Sequence, residues 1–260
     1  MGVFCPVMPI HIAKAFKDQD KIGIHHLLLA HDVVAHAKEY AEVFGSMTAP
    51  HRHIILDNSV VELGTAVDGG MVKEAADICK PTCIVLPDVY QDSRGTIQSV
   101  RKHIDAWYNS MIASYAGVRD FMYLPQGTNK HEFAICAEAF GQDPRIRWWG
   151  IPRNYCVQGI GSRVEALRIC AMVNGGRSVH MFGFSDDFVD DFISANHPNV
   201  VSIDSAVPIR CASLGLRFSL GLGPLLPPRG NWWEEASAKD IDLMIENVQI
   251  AQSYAHSGLR

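Results

Sequence analysis

The chain has 260 residues, 48% of them hydrophobic, and a formal net charge of -5 at pH 7. That length suits one (β/α)₈ barrel or one large doubly wound domain and exceeds what a small binding module needs. The negative balance argues against a globally basic nucleic-acid binder but leaves room for a local stripe. Arg145, Arg147, Arg153, Arg163, Arg177 and Arg210 are the candidates to share such a rim. Seven cysteines, an odd number without CxxC or CxC spacing, argue against a disulfide framework and fit a reducing, cytoplasmic setting. The opening Met1-Gly2-Val3-Phe4-Cys5-Pro6 has no basic region followed by a long apolar segment, so no signal peptide is expected. No apolar run reaches bilayer-crossing length, and Pro6 stands where a myristoylation signal carries Ser or Thr.

Along the chain, short apolar runs alternate with segments of helical spacing. Residues 1–23 are expected to cap the bottom of a barrel. The first strand is expected at Ile24–Ala30, followed by a helix around Val33–Phe44. A strand at Ile54–Leu56 precedes Gly69–Cys79, where Val72, Ala75, Ala76 and Cys79 recur with helical periodicity. Cys83–Leu86 is followed by a helix from Ser93 to about Ser114, and Phe121–Leu124 by Lys130–Phe140. Arg147–Ile151 and Ser178–Phe182 lead to helices at Ser162–Val173 and Asp186–Ala195, and Val200–Ile203 is the seventh strand. An eighth near Leu216–Leu220 is crowded by Gly215, Gly221 and Gly223, and Gly221–Gly230 reads as a loop before the amphipathic helix Ala236–Tyr254. Continuous apolar strands mean that both faces are buried. Their number and spacing predict one α/β domain over residues 1–260, a (β/α)₈ TIM barrel with a C-terminal helix.

Several strands end in chemically capable groups: Asp57, Asp88, Gln126 and Asp204. In a barrel such ends converge on one mouth, so residues far apart in sequence can meet. Carboxylates gathered there need a metal, a shared proton or a substrate to offset their repulsion, unless each merely caps the next helix. Metal binding is poorly supported: no HExxH occurs, and His51-Arg52-His53 precedes its strand and so lies at the wrong end. The other use of paired carboxylates is covalent glycosyl transfer. Asp204 is the candidate nucleophile, directly after Val-Val-Ser-Ile, and Arg210 is available for a phosphate or carboxylate. Asp57 is the candidate acid/base. Asp88 and Gln126 suit the donor–acceptor edge of a purine, and Gly127, Gly150 and Gly183 leave room at strand ends for a flat ring or form tight βα turns. The Trp148-Trp149 and Trp232-Trp233 pairs suit core or rim packing better than a partner surface, and Gly159-Ile160-Gly161 is too short for a dinucleotide fingerprint.

These residues resemble the tRNA-guanine transglycosylase family, the queuine and archaeosine tRNA-ribosyltransferases, and the related enzymes that insert 7-deazaguanine bases into DNA. Ser202-Ile203-Asp204-Ser205-Ala206-Val207-Pro208-Ile209-Arg210 is similar to the family stretch that carries the nucleophilic Asp. Leu56-Asp57-Asn58-Ser59 resembles the segment used in proton transfer and substrate positioning. Leu86-Pro87-Asp88 and Leu124-Pro125-Gln126-Gly127 resemble the base-binding segments, and Gly150-Ile151-Pro152 the glycine-bearing loop that contacts the base. His180-Met181-Phe182-Gly183 resembles the strand exit whose apolar side chain, here Met181, packs on the ring. The chain departs from the family in two ways. Val60-Val61-Glu62 replaces the usual Gly-Gly-Phe, and the structural zinc site has no counterpart beyond Cys211. With that site goes much of the usual tRNA-binding and dimerisation surface, and the compact size suits a member carried by a virus or a modification cassette.

The resemblance implies exchange of guanine in DNA or tRNA for a free 7-deazapurine base, without ATP, redox cofactor or metal. The target nucleotide must be presented outside its stack, with Arg210, Arg153 and Arg163 as phosphate contacts. A protein partner or a second copy of the chain is compatible with this reading. The rivals are a base-releasing N-glycosidase, a metal-dependent barrel hydrolase and a noncatalytic subunit that binds nucleic acid or a partner enzyme.

Overall fold

A computed structural model of the chain describes residues 2–45, 52–112, 120–185, 187–226, 236–237 and 240–257. Eight parallel strands form its centre: β1 (Val3–Pro6), β2 (His25–Leu29), β3 (His53–Asp57), β4 (Cys83–Val85), β5 (Asp120–Tyr123), β6 (Ile146–Ile151), β7 (Ser178–Met181) and β8 (Val200–Ser205). Ladders join β2 through β8 in sequence order, and β1 pairs with β8. β1 also lies against β2, so the ring is nearly closed and flanked by helices, a (β/α)₈ barrel with a C-terminal helix at Ile241–Ser257.

The first strand corrects the expectation for residues 1–23. Val3–Pro6 does not cap the barrel but completes it, with Cys5 beside Asp204 in the β1–β8 register. Pro6 hides this strand because it cannot donate to a ladder. Here it ends the strand, and the next amide, Val7 N–H, donates to the Ser205 carbonyl at 3.2 Å. The strand expected near Leu216–Leu220 does not form, and Leu220–Leu225 is a 3₁₀ turn. The short helices Val60–Leu63 and Asn154–Val157 were not anticipated, and both flank the mouth.

Alternation along the strands sorts side chains into two cores. Cys5, Leu27, Ile55, Cys83, Val85 and Met122 pack inside the ring. Phe4, Leu56, Tyr123, Ile151, Met181 and Ile203 face outward and pack with the helices. Val72, Ala75, Ala76 and Cys79 are the buried stripe of helix Gly69–Cys79. Asp68, Asp92, Asn129, Ser162 and Asp187 cap the longer helices through their side chains, which fixes where each βα loop ends. Trp149 is fully buried in the outer core, whereas Trp148 stacks on His53 at 4.6 Å. Trp232 and Trp233 lie outside the described residues. All seven cysteines are free thiols, and among the described residues no helix is long and apolar enough to cross a membrane.

Candidate active site

The C-terminal ends of the strands enclose a cavity of about 320 Å³, at the lower end of the range for small-molecule sites, roughly 300–1,000 Å³. Leu29, Leu124 and Phe182 give it apolar walls, and Asp57, Glu62, Gln126, Arg153, Asn154 and Asp204 supply its polar groups. Val61 and Tyr90 stand exposed at its rim.

Asp57 and Asp204 line this one cavity although they come from β3 and β8. Asp57 is nearly buried, and its Oδ2 accepts the Ser59 backbone N–H at 2.9 Å, which shapes the sharp exit from β3. Ser59 sits in the left-handed region at φ 63°, a sparsely populated conformation held by the surrounding turn. Burial pushes the Asp57 carboxyl well above the usual carboxylate range, and the negative charges of Glu62, Asp88 and Asp204 push it the same way. Asp204 is held differently. Its Oδ1 accepts the Gly183 backbone N–H at 3.1 Å and bonds His180 Nε2 at 2.9 Å. His180 Nδ1 in turn meets the Ser202 hydroxyl at 2.7 Å. Gly183 makes its contact from a left-handed φ of 59°, so the residue type matters there.

Asp88 does not share that cavity. It lies three residues beyond the last residue of β4, where strand alternation no longer dictates direction, and it lines a neighbouring cavity of about 220 Å³ with His103 and Trp107. Asn58 Nδ2 donates to its Oδ1 at 2.7 Å and Gln126 Nε2 to its Oδ2 at 2.6 Å. Burial lifts the Asp88 carboxyl to about 6, against the pull of those two hydrogen bonds. Asn58 also donates to the Leu86 carbonyl at 2.9 Å. Asp88 and Asn58 therefore anchor the amide of Gln126, which does face the main cavity. Gln126 Oε1 accepts from the Gln91 backbone N–H and from Asn154 Nδ2, both at 3.2 Å. The orientation of Gln126 is thus fixed on three sides.

The other anticipated residues divide between positioning and packing. A Cβ on Gly150 would lie 2.6 Å from both Leu124 Cδ1 and Phe182 Cε2, so this glycine lets two cavity walls close. A Cβ on Gly127 would lie 2.6 Å from the Phe133 backbone nitrogen, so that glycine admits the start of the next helix. Neither glycine lines the cavity. Met181 is fully buried in the outer core, and Phe182, one position on, presents its ring instead. The reason is the twofold alternation of a strand, which sends adjacent side chains to opposite faces.

The shared arginine rim does not form. Arg145 pairs with Asp143 and Asp105, Arg147 lies 3.6 Å from Asp120, and Arg177 donates to the Asp143 carbonyl, all near strand starts. Arg163 is neither a phosphate contact nor a solvated helix residue. It is wholly buried, 2.9 Å from Asp191, and it donates to the carbonyls of Phe182 and Gly183. Burial raises the Asp191 carboxyl while Arg163 draws it down. Arg153 lines the cavity, and Arg210 sits buried on the helix Val207–Ser213 that follows β8.

Sequence reasoning missed the roles of His180 and Phe182 at the exit of β7, and of Glu62 and Asn154, which line the cavity from the short helices. The one available signal was spacing: His180 and Phe182 alternate with Met181, as do Ser202 and Asp204 with Ile203. Among the described residues no group of three His, Cys, Asp or Glu side chains is arranged to hold a metal ion. No family model matches the chain, and no curated protein matches it.

Proposed function

We propose that the chain exchanges a guanine in a nucleic acid for a 7-deazaguanine base through a covalent glycosyl-enzyme on Asp204. One observation carries the reading: two carboxyl groups from opposite parts of the sequence line one cavity in unlike surroundings. Asp57, crowded by burial and by Glu62, favours its protonated form. Asp204 has one oxygen engaged by two partners, which leaves Oδ2 for a reacting carbon. A carboxyl held toward its protonated form suits an acid, and one oriented through a single oxygen suits a nucleophile.

In the proposed reaction Asp204 Oδ2 attacks C1′ and the C1′–N9 bond breaks. Its electron pair passes to the guanine, which takes the proton of Asp57. The incoming base then gives its N9 proton to the Asp57 carboxylate, and N9 displaces Asp204 from C1′. Two inversions give net retention, and exchange of one base for another needs no ATP. Phe182 and Leu124 supply apolar surface for the flat ring, Gln126 a fixed amide, and Arg153 a cation for a flanking phosphate.

Incubation with labelled guanine and separate DNA and tRNA pools tests the reading. Label should enter one pool, and denaturing electrophoresis should reveal a protein–polymer adduct that Asp204→Asn abolishes. Full exchange by that variant, or label in neither pool, would refute the proposal. Release of base without incorporation would point to a glycosidase instead.

A further inference from the structure

Ser202 and Asp204 occupy successive inward positions of β8, and His180 is the ladder partner of Ser202 on β7. Alternate residues of a strand stand about 6.6 Å apart, and the two nitrogens of one imidazole bridge that step here. Nδ1 lies 2.7 Å from Ser202 Oγ and Nε2 lies 2.9 Å from Asp204 Oδ1. His180 is fully buried, and Phe182 meets its ring edge-on at 4.7 Å and 87°. The partners assign the protons. Oδ1 accepts from Gly183 N–H, and as part of the ionised nucleophile that the exchange reading requires it can only accept, so Nε2 is the donor. A neutral ring then has a bare Nδ1, which the Ser202 O–H satisfies.

We propose that His180 is a positioning residue for base exchange. Locked in its Nε2–H tautomer by Ser202, it pins Oδ1 of Asp204 so that Oδ2 points at the sugar. The inference rests on the exchange reading above. Gly183 alone would leave the carboxylate free to rotate about a single hydrogen bond, whereas two donors from different directions define its plane. His180 touches neither base nor sugar; it acts through Asp204.

The test uses the full chain and three variants, Ser202→Ala, His180→Gln and His180→Leu, with thermal melting to confirm that each folds. Adduct formation is timed in single turnovers on the polymer that wild type labels. Loss of a charge-assisted hydrogen bond should slow it by about 10- to 100-fold in His180→Leu while KM stays within about twofold. His180→Gln, whose amide can donate from the place of Nε2, should recover part of that loss. Ser202→Ala should keep the fold and slow the step by about 10-fold or less. Nitrogen-15 spectra of histidine-labelled protein should show His180 protonated at Nε2, and Ser202→Ala should disturb that signature. Wild-type adduct rates in His180→Leu, or an Nδ1–H tautomer, would overturn the positioning role alone. Absence of any adduct in wild type would instead bring down the exchange reading, and this role with it.

Discussion

Replacing Asp191 by Ala probes whether the buried ion pair behind β7 supports the site. Asp191 and Arg163 are both fully enclosed, with 2.9 Å between the charged atoms. Asp191 also accepts from the Ser185 backbone N–H at 2.6 Å and the Ser185 hydroxyl at 3.0 Å. Arg163 holds the carbonyls of Phe182 and Gly183, and the N–H of Gly183 is one of the two groups on Asp204 Oδ1. Asp191→Ala strands a guanidinium where water cannot reach it, which costs about 3–5 kcal/mol. At about 2–4 °C per kcal/mol for a chain of this size, Tm should fall by about 6–20 °C. Urea unfolding followed by tryptophan fluorescence measures the free-energy loss directly, and adduct formation should slow as the Gly183 loop loosens. A loss below about 1 kcal/mol would show that the pair does not hold this loop. The double variant Arg163→Met/Asp191→Leu should recover part of the stability, because an apolar pair avoids the cost of burying two charges. Recovery should stay incomplete, since the carbonyls of Phe182 and Gly183 lose their donor.

Asp57 acts first as an acid in the proposed exchange, so single-turnover rates should decline as pH rises through its elevated pKa. Glu62→Gln removes a neighbouring negative charge that raises Asp57 and should move that limb to lower pH; an unmoved limb would dissociate it from Asp57. Asp88, lifted from 3.8 to about 6, contributes stability that is fully present below pH 3.8 and lost as pH rises through 6. At about 1.4 kcal/mol per pKa unit the penalty at neutral pH is about 3 kcal/mol. Urea titrations of wild type and Asp88→Asn should therefore differ in slope between those two values, and identical pH dependences would contradict this assignment. Gly127→Ala should destabilise by about 1–3 kcal/mol in urea, because its methyl would press on the backbone of Phe133 rather than on a movable side chain. An unchanged midpoint would refute the close approach of Gly127 to that backbone as a source of stability.

The strand–helix rhythm was legible from residue order because periodicity is local: Val72, Ala75, Ala76 and Cys79 declare a buried helical stripe without reference to anything distant. So was the placement of Asp57 and Asp204 at strand ends, since an apolar run that stops at a carboxylate marks where a buried strand meets water. Tertiary structure alone decided which way each side chain faced. A strand buried on both faces is apolar throughout, so Met181 and Phe182 look alike in sequence while one packs outside the barrel and the other walls the cavity. Partners across the ring were equally hidden. Val3–Pro6 becomes a strand only because β8 lies beside it, and Asp88 becomes an anchor only where Gln126 and Asn58 reach it. His180 gains its two partners from a neighbouring strand more than twenty residues away. Local sequence encodes period and chain direction, whereas facing and partnership are properties of the closed ring.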